Sequence, residues 1–325
     1  MPIEVVKPGL STTVQDRGRT GYYHVGVPPS GGLDQFSLVA ANLLVGNPPE
    51  AATLECAYTG PELRFTESAV VAAAGAEIEP LLDGDAQPGW TSFAVSAGDV
   101  LKFGHLKSGA RVYIAVAGGI DVPEVLGSRS TYALGGLGGH EGRALEAGDE
   151  LAIGSAGDGA AGRSVPEELR PDLPSELEIR VVMGLYDHLL ADAGRETFST
   201  TSWTLTPVAD RVGFRYKGGE LEMVERDQPF GAGSDPSNIV DAPYPIGSIQ
   251  VPGGVEPIIL HRDAVSGGGY AMVATVISAD MDSVAQSAPG TKTRFVPVDL
   301  AAALTARHER NERMSRLQEA LSAAV

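Results

Sequence analysis

A stretch near the start of the chain, TTVQDRGRTGYYHVGVPPSGGLD from Thr12 to Asp34, combines charged residues, glycines and aromatic rings with little apolar content. A segment of this composition gains little from burial, so it is typical of a loop or a binding site. Asp16 and Asp34 could accept protons or orient N–H donors, and the guanidinium groups of Arg17 and Arg19 could bind a carboxylate or phosphate. An ordinary turn with surface ion pairs would explain the same composition, and the sequence leaves both interpretations open.

A second candidate segment, LGSRSTYALGGLGGHEGRAL, runs from Leu126 to Leu145 and is dense in glycine. Glycines let a backbone approach a ligand closely, and successive N–H groups can hold an anion near Arg129 and Arg143. The pattern G-x-x-x-x-G-K-S/T occurs nowhere in the chain, so a Walker-type phosphate loop is excluded. Tight hairpin turns would also account for most of the glycine content.

Polar residues interrupt apolar, strand-like runs in the second half of the chain, within ADRVGFRYKGG from Ala209 and within Gly247–Gly290. They are Arg211 in the first run and Gln250, Asp263, Asp280 and Gln286 in the second. A buried polar group without a partner costs about 1 to 3 kcal/mol, so each of these side chains needs one. Backbone amides could serve, and so could a substrate amide, whose donors and acceptors match Gln and Asp.

The remaining patterns give little support to other kinds of active site. The six histidines show no HExxH or comparable spacing, so no metal site is predicted from protein ligands. A G-x-S-x-G nucleophile elbow is absent, which disfavours a serine hydrolase. The single cysteine, Cys56, lies in the apolar context LECAY and is interpreted as a packed small residue rather than a nucleophile.

Length and charge limit the kinds of protein this chain can be. With 325 residues, it is long enough for two domains with substantial cores. Its 42 acidic and 24 basic residues give a net charge of -18, which repels nucleic acid at long range. No apolar run approaches the roughly 20 residues that cross a bilayer, and the N-terminus lacks a secretory signal. We therefore expect a cytoplasmic location, with neither a membrane nor nucleic acid as partner.

The pattern of apolar residues predicts a mainly β protein with a few helices. Short runs rich in Val, Ile, Phe and Tyr alternate with glycine and proline turns. One helix is predicted to begin after Asp34 as its N-cap and to end before Gly46, and another to run from about Asp299 to the C-terminus. The segment 154–176, rich in Gly, Ala and Pro, is predicted to be a linker, which gives domains at 1–164 and 165–325.

The two halves of the chain show a weak internal similarity. DRGRTGYYHVGV from Asp16 can be aligned with ADRVGFRYKGG from Ala209, and KSGARVYIAV from Lys107 with PGTKTRFVPV from Pro289. Both pairs follow the same order in both halves, which favours two related β-barrel-like domains.

Four stretches of the sequence together resemble a known family. They are TTVQDRGRTGYYHVGVPPSGGLDQFSLVAANLLVGNPPEAATLE, VAGGIDVPEVLGSRSTY with GGLGGHEGRALEAGDEL, ADRVGFRYKG, and GSIQVPGGVEPIILHRDAVSGGGY. In this order they are similar to the family of KipA, the C subunit of 5-oxoprolinase and allophanate hydrolase subunit 2, which includes the carboxyltransferase part of urea carboxylase. The resemblance spans nearly the whole chain.

The resemblance implies two cyclophilin-like β-barrel domains and a tight complex with a partner similar to KipI, the B subunit of 5-oxoprolinase or allophanate hydrolase subunit 1. A protein of the A-subunit type joins the complex in the 5-oxoprolinase case. The implied function is that of one component of an ATP-dependent hydrolase that acts on a carbon–nitrogen amide bond. ATP and Mg serve the assembled complex, and no cofactor is bound covalently to this chain. Two alternatives stay open: a regulatory protein that antagonises a histidine-kinase inhibitor, and one component of a biotin-dependent carboxyltransferase.

Carried over by motif, the resemblance implies roles for nine residues. Asp16, Asp34 and Asp263 would handle protons or bind substrate N–H groups; Arg19, Arg129, Arg143 and Arg211 would bind carboxylate or phosphate; Gln250 and Gln286 would bind substrate. The sequence departs from the family where Asp210 replaces the usual Asn, and where Val265–Tyr270 reads VSGGGY instead of QTTGGY. The loss of the Gln and of a Thr in the second segment removes hydrogen-bonding groups near the expected substrate and leaves its identity open. The chain also lacks a biotinyl Met-Lys-Met sequence, so it is not a complete carboxylase.

Overall fold

The computed structural model of the chain describes residues 2–155, 157 and 159–322, which form two compact units. The first unit is built from Met1–Thr20, Ser30–Leu173 and Glu312–Val325, and the second from Gly21–Pro29 and Pro174–Asn311. The described residues include four α-helices: α1 (Gln35–Leu44), α2 (Asp192–Thr200), α3 (Met281–Ala285) and α4 (Leu300–Ser322). All other regular structure is strand or short 3-10 helix, so the predicted mainly β fold class with a few helices is confirmed.

The first unit contains a nine-stranded antiparallel sheet. Its strands are β1 (Pro2–Lys7), β2 (Thr12–Gln15), β3 (Thr53–Ala57), β4 (Glu62–Phe65), β5 (Ala69–Leu82), β6 (Asp85–Ala86), β7 (Ser92–Val95), β8 (Val100–Val116) and β9 (Glu150–Ala152). The order is β2-β3-β8-β4-β1-β9, and β5 pairs with β6, β7 and β8. Three register shifts interrupt the long β5–β8 pair. Because bulges bend and twist a strand, they let the sheet curl into a half-barrel.

Strand β8 separates the two hydrophobic cores of the first unit. Successive side chains of a strand point to opposite faces, so Val112, Ile114 and Val116 pack into one core and Tyr113 and Ala115 into the other. The first core lies within the curled sheet. The second is closed by helix α1 and by the end of helix α4. The sheet is therefore buried on both faces along this strand.

Helix α1 begins and ends where the sequence predicts. Asp34 has extended backbone angles and accepts a hydrogen bond from the Ser37 backbone N–H, which makes it the N-cap. The helix ends at Leu44, and Gly46 follows with a positive φ of 79°. An added Cβ at Gly46 would lie 2.9 Å from the Gly159 Cα, so no larger residue fits this exit turn.

Helix α4 also agrees with its prediction as far as the described residues reach, since it runs from Leu300 to Ser322. Its apolar stripe is used only in part. Leu317 and Leu321 are fully buried, whereas Leu300 is 65% exposed and Leu304 is 45% exposed. Among the described helices, none combines the length and the apolar character that crossing a bilayer requires.

The second unit contains a closed seven-stranded barrel and a separate strand pair. Its strands are β10 (Glu176–Met183), β11 (Trp203–Ala209), β12 (Gly213–Lys217), β13 (Asn238–Pro243), β14 (Ser248–Gln250), β15 (Ile258–Leu260), β16 (Gly267–Tyr270), β17 (Met272–Val276) and β18 (Lys292–Pro297). The barrel closes in the order β10-β17-β14-β15-β12-β11-β18, and β13 pairs with β16 outside it. Neighbouring barrel strands are antiparallel except β10 and β18, which run parallel.

Aromatic side chains fill one part of the barrel unit. Phe295 of β18 is fully buried, stacks on Phe198 of α2 with ring centroids 4.9 Å apart, and meets the edge of Tyr216 at 5.6 Å. Trp203 packs against the same ring and donates its indole N–H to the Phe198 carbonyl. Aromatic pairs at these separations add about 0.5 to 1.5 kcal/mol beyond their buried area. Helix α2 is held on the barrel by this cluster.

The two units differ from the predicted domains in three places. The predicted linker packs on the first unit up to Leu173, because Val165 and Leu169 are buried in the core beneath α1; residues 156 and 158 lie outside the described ranges. The end of α4 also belongs to the first unit. Residues 21–29 belong to the second unit, where the Tyr23 hydroxyl donates to the Tyr244 carbonyl at 2.6 Å.

Cys56 is packed in the first core with 1% of its surface exposed, as its apolar context indicates. Burial raises the pKa of its thiol from 9.0 to about 12. Between these values the unfolded chain loses this proton and the folded chain keeps it, so stability falls as the pH rises. We expect this residue to add a loss of up to about 1.4 kcal/mol per pH unit above pH 9.

Urea unfolding of the wild type and of Cys56→Ala from pH 7 to 10 measures this contribution. The substitution lowers stability at every pH, but the difference between the two proteins should shrink above pH 9. A constant difference across the range would contradict the prediction.

Candidate functional site

Asp16 follows directly after β2 and lies at the centre of a hydrogen-bond cluster. Its Oδ1 accepts from the Gly18 N–H and the Ser128 hydroxyl, both at 2.7 Å, and from the Ser130 hydroxyl. Its Oδ2 accepts from the Arg129 backbone N–H at 2.6 Å. Only 8% of Asp16 is exposed, so these donors replace the water that a surface carboxylate would have. The carboxyl group therefore ties the first motif to the glycine-rich segment.

Arg19 joins the same two segments and is only 1% exposed. Its Nε donates to the Val125 carbonyl and its Nη2 to the Ser130 carbonyl, both at 2.9 Å. Gly138 lies against this contact with a positive φ of 66°, and an added Cβ there would be 2.6 Å from Arg19 Nη2. Close packing on the arginine thus requires a glycine at this position of the glycine-rich segment.

The side chain of Arg129 points away from Asp16. Its Nε donates to the Val122 carbonyl at 2.9 Å and its Nη1 to the Glu124 carboxylate at 2.7 Å, with Asp121 3.8 Å from Nη2. Arg129 lines a cavity of about 570 Å³ in the first unit, whose wall includes five glycines. Arg129 thus contributes its backbone to the Asp16 cluster and also lines this cavity.

Arg143 forms an ion pair within the glycine-rich segment. Its Nη1 and Nη2 donate to the two oxygens of Asp149 at 2.7 and 2.9 Å, and Nη2 also donates to Glu141. These hydrogen bonds hold the pKa of Asp149 well below its usual range, and they raise the pKa of Arg143. The structure does not bring Arg143 into the Asp16 cluster.

Asp34 occupies a second buried network of the first unit. Its carboxylate accepts from the Ser37 backbone and hydroxyl, while its own N–H donates to the Tyr113 hydroxyl at 2.8 Å. That hydroxyl in turn donates to Glu55 at 2.6 Å, and Glu55 also accepts from the Leu33 N–H. Burial, and next the charge of Glu55, raises the pKa of Tyr113 well above its usual value. The phenol therefore stays protonated and keeps its role as a donor.

Replacing Asp34 by alanine should cost about 1 to 2 kcal/mol of unfolding free energy, because the first turn of α1 loses its cap. Asp34→Ser keeps an acceptor near the Ser37 N–H and should cost clearly less. Urea unfolding of both variants gives the comparison. Equal losses in the two variants would show that the cap does not contribute.

In the second unit, Arg211 and Asp263 form a buried pair. Arg211 Nε and Nη2 donate to the two oxygens of Asp263 at 2.7 and 3.1 Å, and the Asp263 N–H donates to the Arg211 carbonyl at 3.0 Å. The two side chains are 17% and 6% exposed. A two-pronged pair of this kind fixes both groups in position. It ties the turn after β11 to the segment after β15.

The two predicted glutamines also belong to the second unit and are 6% exposed each. Gln250 ends strand β14, and its side chain forms a hydrogen bond with Tyr244. Burial raises the pKa of Tyr244, whereas the hydrogen bond with Gln250 lowers it. Gln286 caps the C-terminal end of α3.

The predicted internal similarity has a counterpart in these turns. Asp16 follows β2 and accepts from the N–H of Gly18, and Asp210 follows β11 and accepts from the N–H groups of Val212 and Gly213. Both aspartates thus make the same local turn, in which the side chain bonds the backbone two residues on. The departure from Asn to Asp at position 210 keeps this turn, because either side chain can accept the bond.

Several residues that matter to these clusters were not predicted from the sequence. They are Ser128 and Ser130 beside Asp16, Glu55 and Tyr113 beside Asp34, and Arg180 beside Asp280. Arg180 donates to the Asp280 carboxylate through its backbone N–H and through Nε and Nη2 of its guanidinium. Glu55 gives one usable sign, since a carboxylate inside the apolar strand β3 must find donors.

The charged groups of the predicted site all serve as donors or acceptors within their own unit. Asp16, Asp34 and Asp263 accept hydrogen bonds, and Arg19, Arg129, Arg143 and Arg211 donate them. Such groups hold loops in fixed positions, and a substrate N–H or oxygen can bind by replacing one of these contacts. Their roles toward a substrate stay predictions. Within the described ranges, no three His, Cys, Asp or Glu side chains are grouped to hold a metal ion.

Comparison with known proteins identifies the family. The model of the carboxyltransferase domain, subdomains A and B, matches residues 25–297. The chain belongs to this carboxyltransferase domain family. The match covers the Asp34 network, the glycine-rich segment and the whole barrel of the second unit.

Relatives of this carboxyltransferase domain chain fall into two groups. The C subunit of the 5-oxoprolinase of Escherichia coli is 36% identical over 318 residues, which make up 97% of this chain and 97% of that protein. The urea amidolyase of Lachancea kluyveri is 35% identical over an alignment of 329 positions, which covers 97% of this chain and 18% of that protein. The crystal structure of the K. lactis urea amidolyase matches with a TM-score of 0.91 at 34% identity, over 97% of this chain and 20% of that one. The chain thus spans about a fifth of the urea amidolyases.

Proposed function

We propose that this chain is one component of an ATP-dependent enzyme that opens an amide bond, of the 5-oxoprolinase type. The observation that carries the proposal is the match with the 5-oxoprolinase C subunit, which covers 97% of both proteins. The relative is by its name one subunit of a multi-subunit enzyme. We therefore propose a partner of the B-subunit type that completes the active site, and a protein of the A-subunit type in the full assembly.

The chemistry of the substrate sets the demands on such a site. An amide is stabilised by resonance, so attack on its carbonyl is slow unless the developing negative charge on oxygen is stabilised. Backbone N–H groups and guanidinium groups are suited to that task. In this chain the Arg129 N–H and the Arg211 guanidinium are groups of these two kinds, and each is bonded to a carboxylate that a substrate oxygen would have to replace.

Mg–ATP belongs to the assembled complex in this proposal. The four predicted arginines do not fit a triphosphate site by themselves, because each already donates to carbonyl or carboxylate oxygens of this chain. The role proposed for this chain is to bind and orient the amide.

The test is reconstitution. The purified chain is mixed with its partners of the A-subunit and B-subunit types, and ATP hydrolysis is measured with and without 5-oxoproline. The proposal predicts turnover that depends on 5-oxoproline and on all three proteins. Amide-independent ATP hydrolysis, or full activity in the mixture without this chain, would overturn it.

Carboxyl transfer from biotin is a second candidate, and the family model together with the urea amidolyase structure favours it. It requires carboxybiotin as the donor. Loss of carboxybiotin that depends on urea and on this chain would support carboxyl transfer, whereas loss at the same rate without urea would exclude it.

A further inference from the structure

A second cavity of the first unit, of about 470 Å³, has none of the predicted site residues in its wall. Among the residues that line it are Ala76 and Ile78 of β5, whose side chains are buried in the first core, and the half-buried Trp90 and Arg170. Exposed charged residues form its rim: Glu77, Glu79, Lys107 and Asp172. The volume lies within the range of small-molecule sites.

Trp90 adopts a backbone conformation that a bulky residue rarely takes. Its φ is 57°, and hydrogen bonds on both sides hold it there: its N–H donates to the Ala73 carbonyl at 2.8 Å, and its carbonyl accepts from the Val165 N–H at 3.0 Å. Its ring lies 6.4 Å from Phe36 on the core side. Such strained positions cluster at ligand sites, where the surrounding structure enforces them. Here it places an indole in the cavity wall.

Arg170 brings a positive charge to the same wall. Its Nε and Nη2 donate to the Val165 carbonyl at 3.0 and 2.9 Å, and Nη2 also reaches the Ser164 hydroxyl. These acceptors are neutral, and within the described part of the chain no carboxylate lies within 4 Å of this guanidinium. The group is thus held in place while its charge is not compensated, which suits the carboxylate of a ligand.

The rim decides the charge of that ligand. Glu77 is offset by Lys107, 4.0 Å away, and accepts from the Ser108 hydroxyl. Glu79 and Asp172 have no ion pair among the described residues. A purely anionic ligand would meet these two carboxylates, whereas a ligand with one positive and one negative group satisfies both the rim and Arg170.

We propose that this cavity binds a free α-amino acid with an apolar side chain. The carboxylate of the amino acid pairs with Arg170, and its ammonium group lies toward Glu79 and Asp172. Its side chain packs against Trp90. This site is separate from the proposed amide-opening role, because none of the residues assigned to that role lines the cavity.

Tryptophan fluorescence of the full chain reports on this site directly. The chain has two tryptophans, and Trp203 is fully buried in the second unit, so a ligand at the cavity acts on the emission of Trp90. The probe is L-phenylalanine, which does not absorb at the long-wavelength edge where tryptophan is excited. Two analogues are compared with it: 3-phenylpropanoate, which lacks the ammonium group, and L-phenylalaninamide, which lacks the carboxylate. We expect saturable binding of L-phenylalanine in the millimolar range or tighter, with each analogue weaker by about tenfold.

Two substitutions test the two charged ends. Arg170→Gln should weaken L-phenylalanine binding about tenfold, and Glu79→Gln, at an exposed position, about threefold. Arg64→Gln and Glu150→Gln change the same residue types elsewhere on the first unit and should leave the affinity unchanged. Because Glu79 is exposed, its variant stays folded and keeps the test decisive even if Arg170→Gln loses structure. No saturable change with L-phenylalanine, equal affinities for the three compounds, or equal affinities in Glu79→Gln and the wild type would overturn the proposal.

Discussion

Replacing Asp16 by alanine should lower the unfolding free energy by about 3 to 4 kcal/mol. The carboxylate accepts from four donors, of which the two serine hydroxyls and the Arg129 N–H come from a segment more than 110 residues away. Removing it leaves these donors buried without an acceptor, at about 1 to 3 kcal/mol for each group that water does not reach. The sum is less than additive, because the loop can relax.

Chemical denaturation of Asp16→Ala and Asp16→Asn measures this loss. The asparagine variant keeps one oxygen, so it should lose roughly half as much. Asp99→Ala is the matched control, since Asp99 also accepts from a backbone N–H but lies in an exposed turn. We expect the control to change stability by less than about 1 kcal/mol. An Asp16→Ala loss as small as that of the control would refute the structural role.

Local features of the sequence predicted α1 and α4, whereas α2 and α3 were not predicted. Asp34 directly precedes the apolar stripe of α1 and Gly46 follows shortly after it. The capping bond from the Ser37 N–H to Asp34 spans only three residues. Nothing distant has to be known to place α1. The same holds for the alternation of strand and turn residues, which was enough for the fold class.

The candidate site was harder, because its partners come from far along the chain. Asp16 was predicted to handle protons, yet the residues that surround it, Ser128 and Ser130, follow 112 and 114 positions later. A pattern in one segment cannot show which donors another segment will supply. The sequence thus indicated that Asp16 has a functional or structural role, but only the folded structure shows which residues contact it.

The arginines illustrate the same limit in electrostatic terms. A guanidinium taken out of water must find acceptors, and burial of Arg19 to 1% exposure is possible because two backbone carbonyls accept from it. From the sequence alone, an arginine that holds a loop and one that waits for a phosphate look identical. Arg170 was not singled out, although it differs from the predicted Arg129, Arg143 and Arg211 in having only neutral acceptors.

The domain boundary depended on long-range packing as well. The composition of 154–176 is that of a linker, but two apolar residues within it, Val165 and Leu169, are enough to bury the segment under α1. Tyr23 likewise fixes residues 21–29 to the second unit through its hydroxyl. A single anchoring residue hardly changes the composition of its segment. The composition of a segment therefore does not show to which unit the segment belongs.

Removing one partner of the Arg211–Asp263 pair should be at least as costly as the loss of Asp16. Asp263→Ala leaves a guanidinium that is 17% exposed without its two-pronged acceptor, and we expect a loss of about 3 to 5 kcal/mol. The exposed pair of Arg64 and Glu4 is the matched control. Its side chains are 46% and 38% exposed, so Glu4→Ala should cost less than about 1 kcal/mol.

A double-mutant cycle separates the pair from the rest of the second unit. Arg211→Met combined with Asp263→Leu removes both charges together, so the double variant should be markedly more stable than Asp263→Leu, which removes only the acceptor of the guanidinium. Urea unfolding of the single and double variants gives the interaction energy. If the double variant is as unstable as the single one, the loss comes from the backbone contact between the two residues, and the ion pair contributes little. If its stability returns while amide-dependent turnover of the assembled complex does not, the pair also acts on the substrate.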